Sequence, residues 1–197
     1  MQSEELYYDH YKETFERQID YLKERNRLTV YLVILVAVIY LMGQNRAMLI
    51  DVSAALQEHN LGKSVINFNI ISTVLYFVFM WFTLRYYQVN LTIETGYAYL
   101  GHCEKELSKS EGFTIDREGA NYLKDYPYLK WLAHRIYVYL FPILVIAVSI
   151  SGICYECGNA QPYGALNAIF LAMVVFMTLL YLVDRKTFGD GSRDPLL

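Results

Sequence analysis

The sequence is poor in cysteine, proline, glycine and charge. Its 197 residues include only 3 Cys, 4 Pro and 11 Gly, and charged residues make up 19%. Three cysteines are too few for a disulfide scaffold, and the low proline and glycine content excludes a collagen-like repeat. Because the hydrophobic share is 55%, the composition also argues against a disordered chain and against an ordinary soluble globule.

The chain also has no large excess of positive or negative charge. The formal net charge is −3, from 17 basic and 20 acidic residues, so no basic field indicates a nucleic-acid-binding protein. The mean hydropathy is nevertheless positive, at +0.20. The charged residues must therefore be separated in sequence from long apolar runs.

Four apolar runs are of the length that crosses a bilayer, which is about 20 residues. They occupy residues 28–43, 65–84, 131–154 and 164–183. In water, a chain of this length leaves too little material to cover four such runs. The sequence therefore predicts an all-α, polytopic membrane protein with four transmembrane helices and a helical cytoplasmic extension.

The predicted organisation has five parts. They are a cytoplasmic amphipathic helix at 1–27, a transmembrane hairpin at 28–84, a cytoplasmic helix and aromatic loop at 85–130, a second transmembrane hairpin at 131–184 and a cytoplasmic tail at 185–197. Lys and Arg number 5, 2, 6, 0 and 3 in the successive segments outside the runs. Because cytoplasmic segments are rich in Lys and Arg, both termini are expected in the cytoplasm.

Aromatic residues lie near the proposed ends of the runs. Trp and Tyr prefer the membrane–water interface, so we expect these side chains to form an interfacial belt. The belt residues are Tyr31, Tyr40, Trp81, Tyr86, Tyr87, Trp131, Tyr155, Tyr163 and Tyr181.

Both cytoplasmic segments carry apolar residues at helical spacing. In residues 4–27 the stripe consists of Tyr8, Tyr11, Phe15, Ile19 and Leu22. In residues 85–109 it consists of Val89, Ile93, Tyr97, Leu100 and Leu107. The spacing predicts two amphipathic helices, the first of which runs unbroken into the first transmembrane helix. The two stripes are expected to pack against each other.

The loop between 110 and 130 combines basic side chains with aromatic rings. Arg117, Lys124 and Lys130 can bind phosphate, and Tyr122 and Tyr126 offer rings on which bases stack. This pattern favours a binding site for a nucleotide or a short single strand. Acidic residues at 116, 118 and 125 lie among the basic ones, so a solvated loop that pairs its own charges is the alternative.

Polar side chains also occur inside the apolar runs, where an unpaired amide is costly. Asn67, Asn69, Ser72 and Thr73 lie in the outer half of the second run, and Asn167 lies near the outer end of the fourth. The four polar residues of the second run predict either interhelical hydrogen bonds or a polar stripe that lines a pore. Four helices leave too narrow a centre for a channel, so a pore requires a symmetric homo-oligomer, with a tetramer favoured.

Three residues of the third run are candidates for a gate: His134 and Arg135 near its start, and Pro142 inside it. His134 and Arg135 can extend to the cytoplasmic surface, or they can couple a cytoplasmic ligand to the pore. Pro142 permits a kink and frees a backbone carbonyl, which makes it a candidate hinge.

Cys154 and Cys157 form a C-x-x-C pair at the outer end of the third run. This pair is a candidate disulfide, and two inert thiols are the alternative. The pair also resembles that of quinone-linked thiol oxidases, but those enzymes relay electrons between two cysteine pairs and this chain has one outward pair. The sequence contains no catalytic motif and no His/Cys cluster with metal-ligand spacing, so no enzyme activity, cofactor or metal is expected.

Two segments carry a resemblance to a known family: YKETFERQIDYLKERNRLTVYLVILV at 11–36 and FTIDREGANYLKDYP at 113–127. In these segments the chain resembles the small four-span membrane effectors of bacterial anti-phage systems. It is most similar to the channel subunit of the Hailong system, with the membrane subunit of the Kiwa system second. The resemblance implies a homo-oligomeric pore in the bacterial inner membrane, gated by the nucleotide or nucleic-acid product of a partner nucleotidyltransferase. The alternative functions are a non-conducting anchor or sensor that recruits a cytoplasmic partner, and a four-span thiol oxidase that uses the outward C-x-x-C pair.

Overall fold

The computed structural model describes residues 2–44, 68–111, 114, 127–158 and 163–189. All secondary structure in these ranges is helical. The elements are α1 (Gln2–Gln44), α2 (Phe68–Glu111), α3 (Tyr128–Arg135), a π-helical stretch (Ile136–Leu140), α4 (Phe141–Gly158) and α5 (Gly164–Gly189). The all-α prediction is therefore confirmed for the described residues, whereas the homo-oligomer stays a prediction.

Four helical segments are long and apolar enough to cross a membrane: Tyr7–Gly43, Ile70–Lys109, Trp131–Gly158 and Gly164–Arg185. Their length and composition are those of a multi-pass membrane protein. The helices α1 and α2 have 43 and 44 residues, about twice what a bilayer requires. The prediction that the N-terminal helix runs unbroken into the first transmembrane helix is thus confirmed, and α2 is continuous in the same way.

The chain divides into two compact units. The charged unit comprises residues 1–27, 86–143 and 180–197, and the apolar unit comprises residues 28–85 and 144–179. Among the described residues of the apolar unit, only Arg85 and Glu156 are charged.

In the charged unit, the predicted stripe of α2 is buried. Its members are at most 6% exposed: Val89, Ile93, Tyr97, Leu100 and Leu107. The N-terminal part of α1 packs on α2 through polar contacts. The Tyr11 hydroxyl donates to Glu104 at 3.0 Å, and the Gln18 amide donates to the Ile93 carbonyl at 2.5 Å.

The stripe predicted for α1 is wrong in part. Tyr8 is 54% exposed and Ile19 is 37% exposed, whereas Tyr11 and Gln18 are buried. Tyr11 and Gln18 are seven residues apart, about two helical turns, so they lie on one face. Apolar spacing does not identify this face because one of its members is an amide, which is tolerated there by its hydrogen bond to the α2 backbone.

Gly96 lies where α1 approaches α2. A Cβ at this position would be 2.9 Å from Cδ of Gln18 and would overlap the oxygen of the same side chain. We expect Gly96→Ala to displace Gln18 from the Ile93 carbonyl and to destabilise the protein by about 1–3 kcal/mol, in spite of the better helix propensity of alanine. Gly43→Ala is the matched control, because no atom of the described residues lies within 4 Å of a Cβ placed at this position. Equal thermal stability of the two variants would show that Gln18 moves aside without cost.

Three residues of the predicted aromatic belt are buried, which corrects that prediction for them. Tyr86, Tyr87 and Tyr181 are 0%, 3% and 2% exposed. The rings of Tyr87 and Tyr181 stack with their centroids 4.4 Å apart. Trp81 and Tyr40, at 60% and 63%, are exposed as a belt requires. Proximity to the end of an apolar run does not reveal whether a ring faces the interface or the core of the charged unit.

The π-helical stretch ends at Leu140, two residues before Pro142. The Phe141 amide donates to the Ile136 carbonyl, five residues back. The Tyr137 carbonyl would next require an amide at position 142, which proline lacks. The Tyr86 hydroxyl of α2 donates to this carbonyl instead, at 2.7 Å. A widened turn is therefore present where the sequence predicts an irregularity, and a side chain of another helix completes its hydrogen bonding.

Candidate functional site

The apolar unit contains a buried polar network that joins three helices. The Thr73 hydroxyl of α2 donates to Oδ1 of Asn167 in α5 at 2.8 Å. Nδ2 of Asn167 then donates to Oε1 of Glu156 in α4 at 3.3 Å. Asn167 is 0% exposed and Glu156 is 4% exposed. The network therefore ends at a buried carboxylate that acts as a hydrogen-bond acceptor.

Glu156 is the functional candidate of this network. An acidic residue among membrane-spanning helices is costly, and it commonly marks an ion path, a proton relay or a counter-charge. The sequence pattern does not single it out, because it lies inside the C-x-x-C pair. The signal that could identify it is that no other acidic residue occurs between positions 144 and 179.

The predicted pore-lining residues lie in different surroundings. Thr73 is engaged inside the apolar unit, in the hydrogen bond to Asn167. Ser72 is half-buried on α2, Asn69 lies in the first turn of that helix, and Asn67 lies outside the described residues. The sequence predicts either interhelical hydrogen bonds or a pore-lining role for these residues. The Thr73 contact is an interhelical hydrogen bond. Pore lining stays a prediction.

In the charged unit, Arg185 of α5 contacts several other elements. Its guanidinium forms an ion pair with Glu94 of α2 at 2.9 Å, and the two side chains are only 12% and 19% exposed. The same guanidinium donates to Nε2 of His134 in α3 at 3.0 Å. It also lies over the ring of Tyr139, 5.1 Å from the centroid. Arg185 therefore contacts α2, α3 and the π-helical stretch. The sequence analysis assigns Arg185 to the predicted cytoplasmic tail and gives it no role.

The Glu94–Arg185 pair is largely removed from water. Desolvation of the carboxylate is costly, and the ion pair with Arg185 offsets part of that cost.

The predicted gate residues do not form one cluster. His134 contacts Arg185 and does not extend freely to a surface. Arg135 is exposed and lies over the rings of Trp131 and Tyr139, 4.8 and 5.5 Å from their centroids. Pro142 is buried just after the π-helical stretch. A gating role for these residues stays a prediction.

The predicted ligand-binding residues belong mostly to a part of the chain that the structure does not describe. Arg117, Tyr122, Lys124 and Tyr126 lie outside the described residues, and Lys130 lies in α3. Nucleotide binding by this loop therefore stays a prediction.

Cys154 and Cys157 are exposed free thiols near the end of α4. Of the two predicted states, the structure contains the unbonded one, and a disulfide stays a prediction for oxidising conditions. Within the described ranges, no group of three or more His, Cys, Asp or Glu residues is arranged to hold a metal ion.

An apolar groove of 790 Å³ lies between α1, α2 and α4 in the apolar unit. Its walls include Val33, Ala37, Ala147 and Val148, with the hydroxyl-bearing residues Tyr40, Tyr76, Ser151 and Tyr155 among them. None of the described residues that line the groove is charged. Such walls suit hydrocarbon groups and not a charged ligand.

Fold and site together define a helical, multi-pass membrane protein with a buried carboxylate network in one unit and a buried ion pair in the other. No protein-family model, curated protein or solved structure matches the chain.

Proposed function

We propose that this chain is a subunit of an oligomeric, ion-conducting pore in the bacterial inner membrane. The pore is gated from the cytoplasm by a nucleotide or nucleic-acid signal in anti-phage defence. The buried Glu156 network of the apolar unit is the observation that carries the proposal. A carboxylate among apolar helices is costly to keep, and an effect on ions is a common reason for keeping it. The resemblance to four-span effectors supplies the biological setting.

In this proposal the pore lies between subunits. Four helices packed side by side leave no room for a channel, whereas a tetramer brings four copies of Glu156 around one axis. Although buried, the carboxylates act through space, and a ring of them raises the local concentration of cations. The conducted ion is therefore a cation.

The proposed gate is a shift between a closed and an open state of the pore. A ligand shifts such a gate only if it binds the open and closed states unequally. The cytoplasmic nucleotide or nucleic acid therefore binds the open state more tightly than the closed one.

The second candidate function is a non-conducting anchor or sensor that recruits a cytoplasmic partner, such as a nucleotidyltransferase. The exposed Tyr8 and Ile19 of α1 favour it, because apolar side chains on a cytoplasmic helix offer a contact surface. This function predicts a stable co-purifying partner and an unchanged membrane potential on overexpression.

Glu156→Gln tests the role of the buried charge. The substitution keeps the shape of the side chain and its hydrogen bond to Asn167 while it removes the charge. We expect cation flux through reconstituted protein to fall several-fold, with the oligomeric state unchanged. Ser149→Ala is the matched control, since the buried Ser149 hydroxyl donates only within α4, to the Val145 carbonyl at 2.8 Å.

Two results would contradict the proposal in different ways. Equal flux in wild type and Glu156→Gln would remove Glu156 from the ion path and leave the pore in place. No ion flux from wild-type protein with any nucleotide, combined with an unchanged membrane potential in overexpressing cells, would remove the pore and leave the anchor.

A further inference from the structure

The apolar groove of the apolar unit extends over about half the thickness of a bilayer. Along α1 its walls run from Val33 to Gly43, and along α4 they run from Ala147 to Tyr155. At 1.5 Å per residue, these two stretches are about 15 and about 12 Å long. The hydrocarbon core of a bilayer is about 30 Å thick, so the groove has the length of one lipid leaflet.

The part of α1 that forms one wall of the groove has little contact with protein. Leu28 and Leu32 are buried, whereas none of the residues from Val33 to Gly43 is buried by the described part of the chain. Apolar walls of this kind favour contact with other apolar groups over contact with water. The occupant of the groove is therefore rich in hydrocarbon.

The volume of the groove distinguishes a lipid from a helix of a second copy of the chain. A helix with its side chains is about 10–12 Å in diameter, so a length of about 15 Å occupies about 1,200–1,700 Å³. The volume of the groove is 790 Å³. This volume is too small for a helix, and it lies within the range of about 300–1,000 Å³ that is typical of sites for one small molecule.

Tyrosine hydroxyl groups lie at one end of the groove. Tyr40 and Tyr155 line it near the C-terminal ends of α1 and α4, whereas Val33 and Ala147 line it at the opposite end. Tyrosine prefers the membrane–water interface, because its ring is apolar and its hydroxyl forms hydrogen bonds. Lipid ester carbonyls lie at that interface and accept hydrogen bonds. The groove therefore matches a lipid in polarity as well as in length.

We propose that the groove binds the acyl part of one membrane lipid, with the ester groups of the lipid at Tyr40 and Tyr155. The lipid lies between α1 and α4 and supplies apolar contacts for residues 33–43 of α1. The inference requires only that the apolar unit lies in a membrane, and it does not depend on ion conduction.

The test maps where a lipid binds on the full chain in detergent micelles. The probe is phosphatidylethanolamine with a photoactivatable diazirine in one acyl chain, added in an equimolar amount. We expect crosslinks on Val36 and Val148 of the groove to exceed those on Ile169 and Phe176 of α5 several-fold. These α5 residues are also apolar and exposed, at 55% and 62%, but they lie outside the groove. Unlabelled phosphatidylethanolamine should compete for the groove crosslinks.

Ala147→Phe is the decisive variant, because the larger side chain fills the groove from α4. We expect the groove crosslinks to fall to the level of those on α5. Ala37→Phe fills the groove from α1 and should have the same effect, so it decides if Ala147→Phe does not fold. Ala172→Phe is the matched control, since it places the same ring at an exposed alanine of α5 outside the groove and should keep the wild-type crosslinks.

Tyr40→Phe tests the polar end of the site. The substitution keeps the ring and removes the hydroxyl, so the affinity for the ester-linked lipid should fall about twofold to tenfold. An ether-linked analogue lacks the ester carbonyls and should bind equally to wild type and Tyr40→Phe.

Three outcomes would overturn the lipid site. Equal crosslinking of the groove and of α5 in wild type would show general contact with lipid and no site. Groove crosslinks that persist in both Ala147→Phe and Ala37→Phe would show that the lipid does not enter the groove. No groove crosslinks in wild type would show that protein covers the groove, from this chain or from a second copy.

Discussion

Arg185→Met is expected to destabilise the protein by about 3–5 kcal/mol. The substitution leaves the Glu94 carboxylate, which is only 19% exposed, without its counter-charge. It also removes the hydrogen-bond donor to His134. Because both side chains of the ion pair are mostly buried, solvent screens the lost attraction only weakly. Thermal unfolding in nanodiscs measures the loss.

The double variant Glu94→Leu with Arg185→Met tests whether the stranded charge causes that loss. Replacing both partners of a buried pair by apolar residues of similar size is often neutral, so the double variant should recover most of the stability. Arg17→Met is the matched surface control, because Arg17 and its partner Glu13 are 70% and 60% exposed, and its effect should be close to zero. If the double variant is no more stable than Arg185→Met alone, the loss of stability comes from lost packing and not from the unpaired carboxylate.

The buried residues of the charged unit are predictable only where the apolar spacing within a single helix identifies them. All five residues of the α2 stripe, from Val89 to Leu107, are buried as their spacing predicts. On α1 the same method selects Tyr8 and Ile19, which are exposed, and passes over Gln18, which is buried. Gln18 enters the core only because the Ile93 carbonyl on another helix accepts its hydrogen bond, and that information is not local in sequence.

The candidate sites show the same limit. Polar residues inside apolar runs indicate that Thr73 and Asn167 need partners, but the sequence does not reveal that they bind each other and Glu156. Arg185 lies just after the fourth apolar run, where composition alone indicates a solvated tail. Its partners Glu94 and His134 come from distant parts of the chain, so only the packing of three helices identifies the ion pair.

Tyr86→Ala is expected to cost about 3–5 kcal/mol, because it removes a fully buried ring. The ring packs against those of Tyr87 and Phe141, with centroid distances of 5.7 and 5.0 Å. Tyr86→Phe keeps these contacts and loses only the hydroxyl, so about 1–3 kcal/mol of the cost should remain. Tyr8→Phe in the same unit is the control, since the Tyr8 side chain is 54% exposed and its variant should match wild type.

The cost of Tyr86→Phe should depend on Pro142. The Tyr86 hydroxyl donates to the Tyr137 carbonyl at 2.7 Å. Because Phe141 bonds to Ile136, an amide at position 142 would extend the π pattern by one bond and reach that carbonyl. Pro142→Ala supplies this amide, so Tyr86→Phe should cost less in the alanine background than in the proline background. Equal costs in the two backgrounds, measured as a double-mutant cycle of thermal stability, would show that the hydroxyl does not act by completing the widened turn.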